Sequence, residues 1–338
     1  MTEEYIVGVD IGGTWIRVAL SKLELKREEI QIEREKTEKS NKYSIGSQIC
    51  QLIHTLLKKN GINEEQLLGI GVASAGPLDM REGKVFNSPN LGFKEVPLKE
   101  PVSKEFPDIP FYLLNDCNAA VLGIHFFEAG EEEKNNLVYV TMSTGIGGGA
   151  ICNGYLLLGK GGNAAEVGHS KVAPRSKKKC GCGSHGCWEA FSSGTGVRNR
   201  ALEALEEGKL NADILLELVD KKKSSIGAKE IFAAAREGDQ LSQKIVDDCV
   251  FYTQVGVGLI NNYYDVDSIF FGGGMMKDKD MILKPIRIQL RQNPLKFTIN
   301  HPPKIKITEF RQDIGILGAL ALVKYKTEGN QVVETYSF

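Results

Sequence analysis

The sequence predicts an α/β protein built from two related halves. Three observations carry this. Apolar, β-rich runs alternate with segments of helical apolar spacing along most of the chain. A strand, a glycine-rich turn and a second strand occur at 6–20 and recur at 138–158. A chain of 338 residues is also long enough for about two domains. Two α/β halves that each open on a hairpin suggest two lobes with a cleft between them.

The elements follow in order. Residues 5–20 read YIVGVDIGGTWIRVAL, two apolar runs flanking Gly12-Gly13, which is a hairpin signal. Over 47–59, Ile49, Leu52, Ile53, Leu56 and Leu57 keep helical spacing, and Asn60-Gly61 closes the helix. Residues 67–74 (LLGIGVAS) read as a buried strand ended at Gly76-Pro77, and 111–114 as a short strand running into Asn115-Asp116. CNAAVLGIHFFEAG then reads as a helix with Asp116 near its N-terminal end, where the helix dipole favours a carboxylate. Residues 137–142 (LVYVTM) form a strand, followed by STGIGGG and a broken apolar run, AICNGYLLL. Beyond a cysteine cluster the chain reads as helical from about 194 to 264, with loops near Gly208 and Gly238. A strand at 268–271 meets Gly272-Gly273-Gly274, a last strand spans 304–310, and a last helix spans 315–325.

Composition narrows the function. Lys plus Arg number 42 and Asp plus Glu 43, a formal net charge of −1, which argues against a strongly basic nucleic-acid binder. At 42% hydrophobic and 25% charged residues the chain can bury a large core, so it needs neither disulfides nor a metal merely to fold. MTEEYIVGVD has no basic or long apolar region of a signal peptide, and no run of about 20 apolar residues suggests a membrane span. Seven cysteines, an odd number scattered outside one cluster, suit a reducing cytoplasm. Glycine is in excess at 37 residues, and its placement is the main clue.

Asp10, Gly12, Gly13 and Thr14 form D-x-G-G-T. Adjacent glycines let backbone N–H groups converge on an anion, Thr14 adds a hydroxyl, and Asp10 offers a carboxylate for Mg²⁺. An ordinary Gly-Gly hairpin is the competing explanation. A second such loop, TMSTGIGGG at 141–149, makes the phosphate reading more specific. Two look-alikes fail. Gly145-x-Gly147-x-x-Ala150 leads into a strand-like run, whereas a dinucleotide fingerprint requires a helix. Gly154 to Lys160 resembles a P-loop, but Gly161 stands where Ser or Thr should ligate Mg²⁺.

Cys180, Cys182 and Cys187, with His169 upstream, are three thiolates and one imidazole, a structural zinc set with no open position for catalysis. His185 competes for the fourth place but lies inside the cysteine loop, so His169 is preferred. Arg175, Lys177, Lys178 and Lys179 beside this knuckle read as a solvated loop before a nucleic-acid contact. Asp116, at the carboxyl end of a strand, could take a proton from a hydroxyl, or could simply cap its helix. Glu166 and Glu189 bracket the knuckle, which could fix both as acceptors for hydroxyl groups.

These pieces, with GIGVASAGPLD, NSPNLGF, NDCNAA, AEVGH, CGCGSHGCWEAFSSG, AAREGD and FFGGGM, resemble the ROK sugar kinases over nearly the whole chain. The CGCG…GCWE signature is highly specific. The resemblance implies a two-lobed actin/hexokinase-like (ribonuclease H-like) fold. A small lobe is expected at 1–116 plus 313–330, and a large lobe at 117–312 with the zinc knuckle at 169–187. It implies ATP-dependent phosphorylation of a hexose at its 6-hydroxyl, glucose first, with N-acetylmannosamine, N-acetylglucosamine, fructose or mannose as alternatives. Asp116 would be the general base. Asn90, Asn115, Asp116, Glu166, His169 and Glu189 would bind the sugar, His169 also ligating Zn²⁺. Asp10, Gly12, Gly13, Thr14, Thr144 and Gly145 would cradle phosphates and Mg²⁺, and Gly272, Gly273 and Gly274 the adenosine part. It also implies a homodimer or tetramer with neither nucleic-acid nor membrane partners. The family includes repressors with an N-terminal helix-turn-helix; D-x-G-G-T lies so early here that an enzyme is expected over a sugar sensor. The departures are Ser143 and Ala165 at positions that are usually Gly, and the basic run 171–179.

Overall fold

The computed structural model describes residues 3–88, 91–292 and 301–328. The chain runs through β1 (Tyr5–Ile11), β2 (Trp15–Lys22), β3 (Gln31–Lys36), α1 (Ser44–Asn60) and β4 (Leu67–Ser74). Next come the short strands β5 (Leu78–Asp79), β6 (Lys84–Phe86) and β7 (Glu95–Pro97), then α2 (Lys99–Glu105), β8 (Phe111–Asn115) and α3 (Asp116–Phe127). They are followed by β9 (Leu137–Met142), β10 (Ile146–Cys152), β11 (Tyr155–Leu156), α4 (Glu189–Ser192), α5 (Gly194–Glu207) and α6 (Asp213–Leu218). The last elements are α7 (Ala228–Arg236), α8 (Gln240–Tyr264), β12 (Ser268–Gly272), α9 (Lys279–Gln292), β13 (Lys304–Ile307) and α10 (Ile314–Thr327).

Two compact units divide these elements. One is Met1–Asn135, Gly149–Ala164 and Glu309–Phe338; the other is Asn136–Gly148 and Ala165–Thr308. The α/β class holds, and the duplication hinted at by the two hairpins is a duplication of topology. One sheet has the order β3-β2-β1-β4-β8 and the other β11-β10-β9-β12-β13, so corresponding strands occupy corresponding places. In each, three strands run parallel: β1 with β4 and β8, and β9 with β12 and β13.

In the first unit, alternate residues of β1 face opposite sides of the sheet. Val7, Val9 and Ile11 share one buried cluster with Ile45, Ile49, Leu52 and Ile53 of α1. On the other side lies α10, whose close approach depends on missing side chains. A Cβ on Gly8 would lie 2.7 Å from the Leu320 amide nitrogen, and one on Gly71 would lie 2.2 Å from the Ala319 carbonyl. Asp10 has the same parity as Gly8 and so faces α10.

Helix α10 also packs along α3. A Cβ on Gly318 would sit 2.0 Å from the Ala119 carbonyl oxygen, a contact with backbone that cannot swing aside. Gly318→Ala should therefore force the two helices apart and cost about 1–3 kcal/mol, lowering Tm by roughly 3–10 °C. Thermal unfolding measures it, and an unchanged Tm would contradict this packing.

The α3–α10 contact also moves the division of the chain. The first unit extends to Asn135 and takes in α3, where the sequence suggested a boundary after Asp116. It also takes in Gly149–Ala164. A Cβ on Gly149 would lie 2.4 Å from the Cys117 carbonyl, so that segment runs tight against the start of α3. In the second unit the expected helical stretch is α5 to α8. It breaks at Gly208 and Gly238, both with positive φ, and again between α6 and α7. The last strand stops at Ile307, short of the expected 310. Among the described residues no helix is long and apolar enough to cross a membrane, and all seven cysteines are free of disulfides.

Candidate active site

In the first unit the key junction is β8 to α3. Asn115 has extended backbone (φ −61°, ψ 146°), and its side chain accepts the Cys117 amide at 2.9 Å, so Asn115 is the N-cap. Asp116 is thereby the first helical residue. Its Oδ1 also accepts the Cys117 amide, at 2.8 Å. Burial pushes the Asp116 carboxyl above its ordinary value, the Cys117 amide works against this, and the charge of Asp10 adds to the rise.

Asp10 sits near the end of β1, in register with Arg17 on β2. Its Oδ2 accepts from Arg17 Nε at 3.0 Å, and Arg17 also donates to Asp313 Oδ1 at 3.0 Å. Burial raises the Asp10 carboxyl and Arg17 partly offsets that. Gly315 lets the start of α10 pack closely on the other oxygen, since a Cβ there would lie 2.7 Å from Asp10 Oδ1. At the Gly12-Gly13-Thr14 turn neither glycine has positive φ. A Cβ on Gly12 would come within 3.0 Å of the Trp15 carbonyl oxygen, which accepts the Gly12 amide at 2.9 Å. Thr37 braces the turn, its hydroxyl donating to the Gly12 carbonyl at 2.7 Å. Asn90 lies outside the described residues.

In the second unit the parallel strands β9 and β12 end side by side, where open α/β sheets bind ligands. The loop after β9 carries Ser143, Thr144 and Gly145. The first amides of α5 tie it down, Gly194 N to Ser143 O at 2.7 Å and Thr195 N to Thr144 O at 3.2 Å. A cavity of about 680 Å³ opens here, lined by Ser143, Thr144, Gly194, Thr195 and Gly274 with the cations Arg198, Lys229, Arg236 and Lys277. Arg198 is anchored by Nε to the Ile226 carbonyl at 3.0 Å, and Arg236 is paired with Asp278. The three glycines after β12 divide their roles. Gly274 lines the cavity; Gly273 turns at φ +91°, where a Cβ would lie 2.4 Å from the Met142 carbonyl; Gly272 packs on Tyr139.

The cysteine loop folds as a tight knuckle. Gly183 (φ +83°) and Gly186 (φ +71°) make its turns, and the Gly183 amide donates to the Cys180 carbonyl at 3.0 Å. His169, Cys180, Cys182 and Cys187 each aim one donor atom inward, all within 4.8 Å of one another. His169 Nδ1 is 3.6 Å from Cys180 Sγ, and Cys182 Sγ is 3.8 Å from Cys187 Sγ. His185 is outside this group. Both flanking carboxylates touch the knuckle: Glu166 Oε2 lies 4.0 Å from His169 Nε2, and Cys180 Sγ donates to Glu189 Oε1 at 3.2 Å. Glu189 Oε2 also accepts the Ile146 amide at 2.9 Å, joining the knuckle to the strand after the phosphate-type loop. Gly145 leaves room for this, since its Cβ would lie 2.5 Å from Glu189 Oε2.

The sequence profile of the ROK family matches residues 6–326, nearly the full chain. This chain belongs to the ROK family. The ROK protein described here is similar to a glucokinase of Halalkalibacterium halodurans, 32% identical over 325 residues that cover 96% of either chain. In structure it is similar to the ROK hexokinase from Thermus thermophilus, with a TM-score of 0.78 and 25% identity over 96% of this chain and 99% of that one. It is likewise similar to a ROK family glucokinase from Streptomyces griseus, solved in complex with glucose and AMPPNP. There the TM-score is 0.69 and the identity 29%, over 94% of this chain and 98% of that one.

Several polar residues at these sites of the ROK protein escape sequence reading. Arg17 is opposite Asp10 only through the hairpin register, a signal available once Gly12-Gly13 is taken as the turn. Asp313 and the cations of the second-unit cavity come from distant elements and carry no local motif.

Proposed function

We propose that this ROK protein transfers the terminal phosphoryl group of ATP to the 6-hydroxyl of a hexose, glucose first. The observation that carries this reading is the Asp116 carboxylate, held at a strand-to-helix junction with one oxygen on the Cys117 amide. Its raised pKa suits a base that must pick up a proton and release it again. As the sugar oxygen attacks the γ-phosphorus, its proton passes to Asp116. The new O–P bond forms as the bond to the bridging oxygen of the leaving ADP breaks. The transition state is loose, so positioning and charge stabilisation do most of the work.

Gly12, Gly13 and Thr14, with Thr144 and Gly145, would offer amides and hydroxyls to the phosphates. Arg198, Lys229 and Lys277 add positive charge around the second-unit cavity, with Gly274 on its wall. Asp10, a carboxylate near the end of β1 with one oxygen held by Arg17, would help hold Mg²⁺; that ion would neutralise phosphate charge when bound with ATP. Asn90, Asn115, Glu166, His169 and Glu189 would bind the sugar hydroxyls.

The knuckle is proposed to hold structural Zn²⁺ through His169, Cys180, Cys182 and Cys187. Tetrahedral zinc, with Zn–S about 2.3 Å and Zn–N about 2.0–2.1 Å, requires sulfurs about 3.8 Å apart and a sulfur–nitrogen gap of about 3.6 Å. The observed 3.8 and 3.6 Å fit those edges. Ligation through Nδ1 leaves His169 Nε2, on the Glu166 side, for a sugar hydroxyl.

A panel of hexoses and phosphoryl donors, measured as kcat/KM with Mg²⁺, tests the proposal. Glucose with ATP is expected to lead. Preference for N-acetylmannosamine, N-acetylglucosamine, fructose or mannose would move the substrate within the same reaction. No transfer to any sugar would reject catalysis and leave a sugar sensor.

A further inference from the structure

Three thiolates and a neutral imidazole around Zn²⁺ leave one net negative charge, and Cys180 and Cys187 are buried. One cation is aimed at that charge. Lys171 sits directly across a β-bridge from Cys187. Its Nζ donates to Cys187 Sγ at 3.1 Å, to Ser184 Oγ at 2.5 Å and to the His185 carbonyl at 2.7 Å. An ammonium has three protons, and these three acceptors, all within the knuckle, use all of them. The rest of the basic run behaves differently: Lys178, for example, pairs with Glu203 on α5. Among the described residues Lys171 is the one cation recorded on a cysteine of the cluster.

We propose that Lys171 is a positioning residue of the zinc site: its ammonium hydrogen-bonds the Cys187 thiolate, balances the surplus negative charge and slows loss of the metal. This rests on the zinc reading above. A hydrogen bond to a ligating sulfur draws off electron density and makes the sulfur less ready to take a proton and let go. Partners of this kind typically change metal affinity by about 10–100-fold. The same ammonium ties Ser184 and His185 into the turn that carries Cys182 and Cys187, so ligand geometry and charge balance depend on one side chain.

The test uses the full-length protein, purified without chelator, as wild type, Lys171→Met, Lys171→Arg, Lys171→Gln and Ser184→Ala. Zinc content is measured first, then the rate of zinc transfer to a chromophoric chelator. The thiolate-to-cobalt absorption band is recorded after exchange with Co²⁺. Lys171→Met is expected to lose zinc about 10–100-fold faster and to shift the cobalt band. Lys171→Arg should stay near wild type, Lys171→Gln should fall between, and Ser184→Ala should keep the wild-type band. A wild-type rate and band in Lys171→Met, or in Lys171→Gln if the Met variant fails to fold, would overturn the proposal. Equal acceleration by Ser184→Ala with no band shift in any variant would also overturn it, reducing Lys171 to a brace for the turn. Absence of zinc from the wild-type protein would instead reject the zinc reading itself.

Discussion

Asp116→Asn should lower kcat by roughly 10²–10⁴-fold while glucose binding persists. The amide carbonyl can still accept from the Cys117 N–H, as Asp116 Oδ1 does at 2.8 Å, so the helix start survives. What disappears is the ability to take a proton. Single-turnover assays for transfer, with calorimetry for sugar binding, separate the two effects. Near-normal turnover would reject Asp116 as the base. The wild-type pH profile gives a second check. The base must be ionised to act, and burial holds its carboxyl above the ordinary value of 3.8. The acid limb of kcat/KM should therefore fall off at a pH higher than an exposed aspartate would give, and Asp116→Asn should lack that limb.

The same substitution should make the protein more stable. A carboxyl whose folded pKa is raised binds its proton more tightly folded than unfolded. Its contribution is full below the unfolded pKa and is lost as pH rises through the folded one. At neutral pH the ionised Asp116 is thus a net cost to folding, made larger by the nearby charge of Asp10. Removing it should raise Tm at pH 7 and narrow the difference from wild type at acid pH. On the proposed role of Asp116 as base, function would keep a carboxylate that stability alone would not.

How much of this could be read from residues alone depended on burial. Leu67–Ser74 and Leu137–Met142 are continuous apolar runs between turn signals, and both are strands with those bounds. Gln31–Lys36 reads QIEREK, with no buried residue, and carries no strand signal of its own because its pairing with β2 is what makes it a strand. The sequence locates the strand-to-helix junction at Asn115-Asp116, but the cap is Asn115, because cap geometry depends on which side chain can turn back to the Cys117 amide. Among the glycines, Gly274 lines a cavity while Gly272 packs on Tyr139, a distinction set by partners remote in sequence. The grouping of His169 with Cys180, Cys182 and Cys187 is legible because the cysteine spacing is local. Lys171 was visible only as part of a basic run, and its contacts with Ser184, His185 and Cys187 needed the knuckle to be folded.

On the zinc reading proposed above, removing the metal should weaken sugar binding more than it slows transfer. Cys182→Ser, or wild type stripped by a chelator, is expected to raise KM for glucose by at least about tenfold, the scale at which lost support around a metal site is felt. Glu189 is the reason. It is fixed by the Ile146 amide at 2.9 Å on one oxygen and by Cys180 at 3.2 Å on the other. A metal-bound thiolate has no proton to donate, so ligation leaves Glu189 Oε1 free to accept from a sugar hydroxyl. Without metal, Cys180 keeps its proton and occupies that oxygen, and His169 loses the anchor that holds its Nε2 on the Glu166 side. Stability should fall as well. Zinc held at a thousandfold over its dissociation constant stabilises the folded state by about 4 kcal/mol, a Tm difference on the order of 10 °C. Adding zinc back should restore the stripped wild type but not Cys182→Ser. Zinc-free protein with unaltered Tm and KM would mean that the knuckle holds its shape, and Glu189 its position, without any metal.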